Sequence, residues 1–216
     1  MPSILGGRQL AAEEAELLSR ALALRGRPVG AAGLRRKGKI GTLVERALGA
    51  TGGSAATWDF PELRVELKTI PVDARTGRPR ESTFVCAVSL ADADRAEWAG
   101  SWVRSKLSRV LWVPVIVDAD GAGVIGEARL WSPTPEQDGV LAGDFEEIMG
   151  RVGVGDVEGV TARLGRWLQL RPKAAHGRVR TLVPAAEGAS VATVPRGFYL
   201  RARFTAAILR DPAAMP

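Results

Sequence analysis

The stretch DFPELRVELKTIPV at 59–72 constrains the fold more than any other part of this chain of 216 residues. Its apolar residues Val65, Leu67 and Ile70 describe a strand packed into a core, yet Glu66 and Lys68 stand inside it. In a strand, residues two apart face the same side. Glu66 and Lys68 therefore project together, while Val65, Leu67 and Thr69 point the other way. The bland reading of this pattern is an ion pair on a solvent-facing strand edge.

The rest of the chain supplies layers for such a strand. With 46% hydrophobic and 25% charged residues, the chain can bury a sizeable core, as one large domain or two apposed lobes. LAAEEAELLSRALAL (10–24) and KIGTLVERALGA (39–50) have the spacing of amphipathic helices, the second stopped by TGGS. Strand-like runs lie at 63–70, 83–90 and 110–117. Helices are expected over 144–152, 157–168 and 202–210, with strand and turn from QLRPK to VRTLVP. Mixed elements with antiparallel-looking neighbours predict an α/β or α+β fold. No run approaches the ~18 apolar residues of a membrane span, and the start lacks the pattern of a secretory signal, so a cytoplasmic protein is expected. The lone cysteine, Cys86, reads as a small buried residue in an apolar run and excludes an internal disulfide.

The net charge of +6 is local. Residues 171–210 hold eight Arg and Lys against Glu187 alone, and RGRPVGAAGLRRKGK at 25–39 has six positive residues and no acid. Two such segments fit a polyanionic partner, because Lys and Arg gain affinity for phosphates by releasing counterions. Other signals fail. GAGVIG at 121–126 has the spacing of a dinucleotide loop, but Pro133 and Pro135 follow too closely for the required helix, so it reads as a hairpin turn. DADG at 118–121 lacks the later ligands of a calcium loop and also reads as a turn. The one histidine, His176, belongs to the basic surface and argues against a histidine-based triad.

Asp59 can bring its carboxylate beside Glu66 and Lys68 if the chain turns at Pro61, and Glu45 lies on the helix that leads into this region. Two or three carboxylates beside a lysine form a hard oxygen site suited to Mg²⁺. A metal lowers the pKa of bound water and clamps phosphate oxygens, while an ammonium group orients the water or steadies the charge on phosphorus. Together with the basic segments, this order of acids and lysine points to phosphodiester cleavage.

IGTLVERALGAT, DFPELRVELKTIPVD, GRPRESTFVC, VRSKLSRVLWVPV, LQLRPKAA and PRGFYLRARFTAAILR resemble, in order, the MutH family of DNA mismatch-repair endonucleases. The resemblance runs with breaks from about Lys37 to Arg210, and is weak over the first 30 residues and at 91–100 and 118–143. It implies a restriction-endonuclease-like fold: a mixed sheet flanked by helices, one domain over 1–216 with two lobes around a DNA cleft. The catalytic acids and lysine would lie within 37–115 and the DNA-reading segment within 165–210. It further implies nicking of the unmethylated strand at hemimethylated GATC sites, with Mg²⁺ as cofactor and stimulation by MutL.

By that likeness Asp59 and Glu66 bind Mg²⁺, Glu45 completes or supports the metal shell, Lys68 positions the attacking water, and Lys106 matches a further active-site lysine. Lys37 matches a phosphate contact, and Phe84 matches a residue that wedges between bases, although an ordinary core aromatic explains Phe84 nearly as well. Arg171 and Lys173 resemble the family's base-reading loop, stiffened by Pro172. Tyr199 matches the residue near the adenine amino group, where a methyl would be excluded, against the alternative of a packed aromatic. A single catalytic set favours nicking by a monomer. The alternatives are a restriction endonuclease cutting both strands at GATC and a DNA-binding module with a silent site.

Overall fold

The structure, a computed structural model, describes residues 4–29, 39–52, 57–90, 93–173, 180–184 and 190–216. Lys37 and His176 lie outside the described residues. Within these the chain is mixed α/β with five α-helices. It forms two compact units, Met1–Arg80 with Arg109–Ser132, and Glu81–Ser108 with Pro133–Pro216. Elements are numbered along the chain.

In the first unit, α1 (Ile4–Leu22) and α2 (Lys39–Leu48) form because their apolar residues recur on one face. Leu17 and Ala21 of α1 and Ile40, Val44 and Leu48 of α2 are all buried. They pack in one cluster with Val65 and Leu67, and with Leu111, Val113, Val115 and Val117 of β4 (Val110–Val117). The sheet runs β1 (Pro28–Val29), β5 (Gly123–Ile125), β4, β2 (Glu66–Asp73), with β6 (Arg129–Trp131) also on β4. β2 is thus an edge strand, and it pairs with β4 in parallel. The expectation of antiparallel neighbours fails here. Parallel pairing needs a long crossover, and residues 81–108 of the second unit supply it.

Pro114 stands inside β4 because the strand's other edge is shared: β6 pairs with Val110–Trp112 and β5 with Val115–Val117. The missing N–H falls in the gap between them. GAGVIG and DADG form the β4–β5 turn, with Ala122 N donating to Asp118 Oδ1 at 2.9 Å and Gly121 at φ +78°.

In the second unit β10 (Arg196–Leu200) is the middle strand of an antiparallel sheet, between β3 (Thr83–Val88) and β7 (Leu168–Pro172). β8 (Thr181–Pro184) and β9 (Ser190–Thr193) form a separate hairpin. Phe198, Leu170 and Leu168 are buried, and Phe198 meets Phe145 of α4 (Pro135–Gly153) at 5.4 Å between ring centres. The sequence placed only 144–152 of this helix. Its true start is a capping box, Thr134 with Gln137, led by Pro135 at the first turn. Asp144 of α4 accepts the amides of Arg166, Trp167 and Leu168 at 2.6, 2.6 and 2.7 Å, fixing where β7 begins.

The helix expected over 157–168 is not formed. Asp156 takes the Gly159 amide at 3.0 Å, and Gly165 is held at φ +78°. The carbonyls of Ala162, Leu164 and Gly165 accept instead from the Arg201 guanidinium. Short helices α3 (Trp102–Leu107) and α5 (Ala202–Arg210) complete the unit. Cys86 is buried, as its apolar run suggested.

Candidate nuclease centre and nucleic-acid interface

The centre in the first unit is built by a tight reversal. Phe60 and Val65 exchange backbone hydrogen bonds at 3.0 and 3.2 Å around a 3-10 turn at Pro61–Leu63. Arg64 closes it at φ 52°, a left-handed conformation unusual for a residue with a side chain. The turn at Pro61 delivers the Asp59 carboxylate to the strand: Oδ2 accepts from Leu67 N at 2.7 Å. On the Asp59 side, Thr51 and Gly52 amides both donate to its carbonyl at 3.1 Å. Gly52 must be glycine, since a Cβ there would lie 1.7 Å from the Trp58 carbonyl oxygen.

Glu66 and Lys68 share a strand face, and Lys68 Nζ donates to Glu66 Oε1 at 2.7 Å. Only 5% of the Glu66 side chain and 15% of Lys68 is exposed, so this is no solvent-facing surface pair although β2 is an edge. Glu66 N in turn donates to Arg109 O at 2.9 Å. Arg109 is itself held by bonds to the Glu14 carboxylate and by Ser132 Oγ at 3.2 Å. Glu45 stands on α2 beside β2: a Cβ on Gly41 would sit 3.5 Å from its Oε1 and 3.6 Å from Thr69 Oγ1. Among the described residues no three His, Cys, Asp or Glu side chains gather into one metal cage.

The second unit holds the remaining residues. Lys106 is buried, 4% exposed, with Nζ 5.2 Å from the Trp102 ring centre, so it is not a surface helix residue. On β10 the pairing with β3 shifts by one residue between Phe198 and Tyr199. Without the shift Tyr199 would face Val85; with it, Tyr199 faces Phe84. The two rings meet edge to face at 5.2 Å. Each carries a cation, Arg171 lying 5.5 Å from the Tyr199 ring centre and Lys173 over Phe84. Arg171 and Lys173 are exposed, whereas Phe84 and Tyr199 are half-buried. Burial first, and Glu81 after it, raises the Tyr199 hydroxyl above its ordinary pKa, while Arg171 opposes them.

The match to known proteins decides the family. A family model described as DNA mismatch repair enzyme MutH matches residues 48–144. The DNA mismatch repair protein MutH of Shewanella amazonensis is 48% identical over 210 residues, covering 91% of this chain and 93% of its own. Those of Salmonella paratyphi B and Vibrio cholerae are 50% and 47% identical, covering 81% of this chain and 77% and 80% of theirs. The chain belongs to the MutH family of DNA mismatch repair endonucleases. MutH is the GATC-nicking endonuclease of methyl-directed mismatch repair. For a MutH enzyme the donor set at the start of β2 fits a Mg²⁺ ion: Asp59, just before the turn, and Glu66 offer only oxygen, and Mg²⁺ takes one or two carboxylates with waters and phosphate oxygens.

Two residues that pack against Phe84 and Tyr199 were missed in the sequence. Gly197 leaves room for Phe84, since a Cβ would come 2.8 Å from its ring and 2.9 Å from Cys86 O. Gln169, two residues before Arg171 and opposite Tyr199, is buried and donates to Ser82 Oγ at 2.8 Å. The only sequence signal for either was a glycine next to an aromatic pair, or an amide between two leucines. Among the described residues no helix is long and apolar enough to cross a membrane.

Proposed function

We propose that this chain nicks the unmethylated strand of hemimethylated GATC sites by hydrolysis of one phosphodiester bond, through a centre made by Asp59, Glu66 and Lys68. The observation that carries the assignment is the buried Glu66–Lys68 pair with the Asp59 carboxylate bonded to the intervening Leu67 amide. Asp59 and Glu66 would hold Mg²⁺, with Glu45 supporting from α2. The ion when bound lowers the pKa of a water and neutralises charge on the phosphate. Lys68, restrained by Glu66, orients the attacking water and stabilises the charge growing on the phosphate oxygens. Lys106 supplies a further positive charge to the reaction.

Arg171 and Lys173 read guanine edges in the major groove, where Arg donors match O6 and N7. Tyr199 occupies the space beside the adenine amino group and rejects a methyl there, Phe84 wedges against the bases, and Lys37 contacts a phosphate. The restriction-endonuclease-like fold, one domain with two lobes, a monomeric state, activation by MutL and a cytoplasmic location belong to the same proposal and rest on family membership.

The test is incubation with hemimethylated GATC DNA and Mg²⁺, with and without MutL, followed by strand-resolved analysis. A nick confined to the unmethylated strand is expected. Cleavage of both strands would identify a restriction enzyme, and binding without cleavage a silent module.

A further inference from the structure

The second unit contains a pocket of about 410 Å³ with walls from Ser82, from Gln169 of β7, from the Arg163–Gly165 turn and from the first residues of α5. Arg163, Arg201 and Arg203 line it, and none of its lining residues is an acid. Three guanidinium groups in a lining that holds no acid favour an anion with several acceptor oxygens.

The cations are fixed by neutral partners. Arg201 donates to the carbonyls of Ala162, Leu164 and Gly165 at 2.8 to 3.2 Å, and Arg203 to Arg166 O at 2.6 Å. These bonds hold the charges in place without cancelling them. The Asp144 carboxylate acts on Arg201, but its oxygens are taken by three backbone amides. Burial, then the like charge of Arg203, holds the Arg201 pKa below its ordinary value. Gln169, 4% exposed, donates to Ser82 Oγ, which leaves the Ser82 hydroxyl hydrogen as a donor. Arg201 caps α5 without a side-chain hydrogen bond, so the first amides of this helix of nine residues add donors at the same wall.

We propose that this pocket seats a backbone phosphodiester of the bound DNA, beside the residues that read the bases. The argument for DNA over another anion is continuity: Gln169 lies on the same strand face as Arg171 and pairs with Tyr199 across β7 and β10. The inference rests on the endonuclease reading above. Arg163 is its free-standing member, since its side chain makes no hydrogen bond or ion pair among the described residues. Inorganic phosphate would satisfy the same donors, so the test must separate the two.

The experiment measures affinity for a GATC duplex and an unrelated duplex across a salt series, for the parent, Arg163→Gln and Arg163→Lys. The slope of log K against log[salt] should fall by about one in Arg163→Gln on both duplexes, and Arg163→Lys should restore most of it. A parent with a shallow slope and no preference for GATC would defeat the endonuclease reading itself. A steep parent slope left unchanged by Arg163→Gln would overturn the pocket alone. Thermal melting with inorganic phosphate is the second arm. Stabilisation of the parent but not of Arg163→Gln, with an unchanged DNA salt slope, would mark a free-anion site and overturn the DNA assignment.

Discussion

Lys68 Nζ stands 2.7 Å from Glu66 Oε1 with both side chains largely buried, so each charge depends on the other. Removing one partner of a buried pair leaves an uncompensated charge and costs about 3–5 kcal/mol, whereas removing both can be nearly neutral. Lys68→Met should therefore unfold at markedly lower urea than Lys68→Met/Glu66→Gln. Equal midpoints for the two would show that the strand face tolerates a lone carboxylate and that the pair does not organise it.

Asp59 serves the backbone as well as the proposed ion. Its Oδ2 satisfies the Leu67 amide at 2.7 Å, and leaving a buried donor unpaired costs about 1–3 kcal/mol. Asp59→Ala should lose stability on that scale, while Asp59→Asn, which keeps an acceptor oxygen, should lose much less. Chemical denaturation of the two variants checks this, and equal losses would mean that the Leu67 bond contributes little.

Tyr199 is the only tyrosine, so an ultraviolet titration reads it alone. Burial raises its pKa, with Arg171 opposing. A raised folded value contributes stability that is fully present below the unfolded value of about 10 and is lost as pH rises through the folded one. The midpoint should therefore lie above about 10 in the folded protein, return to about 10 in urea, and rise further in Arg171→Ala. A folded midpoint at or below the urea value would contradict the burial of the ring. During nicking near neutral pH the hydroxyl stays protonated. Tyr199→Ser should keep nicking unmethylated DNA but loosen rejection of the methylated strand; undiminished rejection would move methyl sensing elsewhere.

Gly197→Ala should cost about 1–3 kcal/mol, because the new Cβ meets the Phe84 ring at 2.8 Å and the rigid Cys86 carbonyl at 2.9 Å. If Phe84 also touches DNA, affinity falls with it. A fully stable Gly197→Ala with parental DNA affinity would mean that Phe84 can shift freely.

The parts legible in the sequence were those set by local chemistry. Alternation placed Glu66 and Lys68 together, Pro61 gave the turn that returns Asp59, and the amphipathic spacing of α1 and α2 held. What escaped depends on distant contacts. The segment 157–168 has a helical pattern, but Arg201 claims carbonyls that a helix would have used. The one-residue shift that turns Phe84 towards Tyr199 leaves no mark in either strand's composition. Parallel pairing of β2 with β4 reflects a crossover through the second unit, which no local pattern encodes.

The most direct test of the centre on β2 is nicking by Asp59→Asn, which keeps the backbone hydrogen bond while removing the carboxylate charge. Strand-resolved, single-turnover assays on hemimethylated GATC DNA with Mg²⁺ and MutL should be run beside DNA affinity in Ca²⁺. Loss of nicking on the order of 10²-fold or more, with affinity close to the parent's, is the expected result. Nicking of the unmethylated strand at a near-parental rate would show that Asp59 holds no catalytic ion.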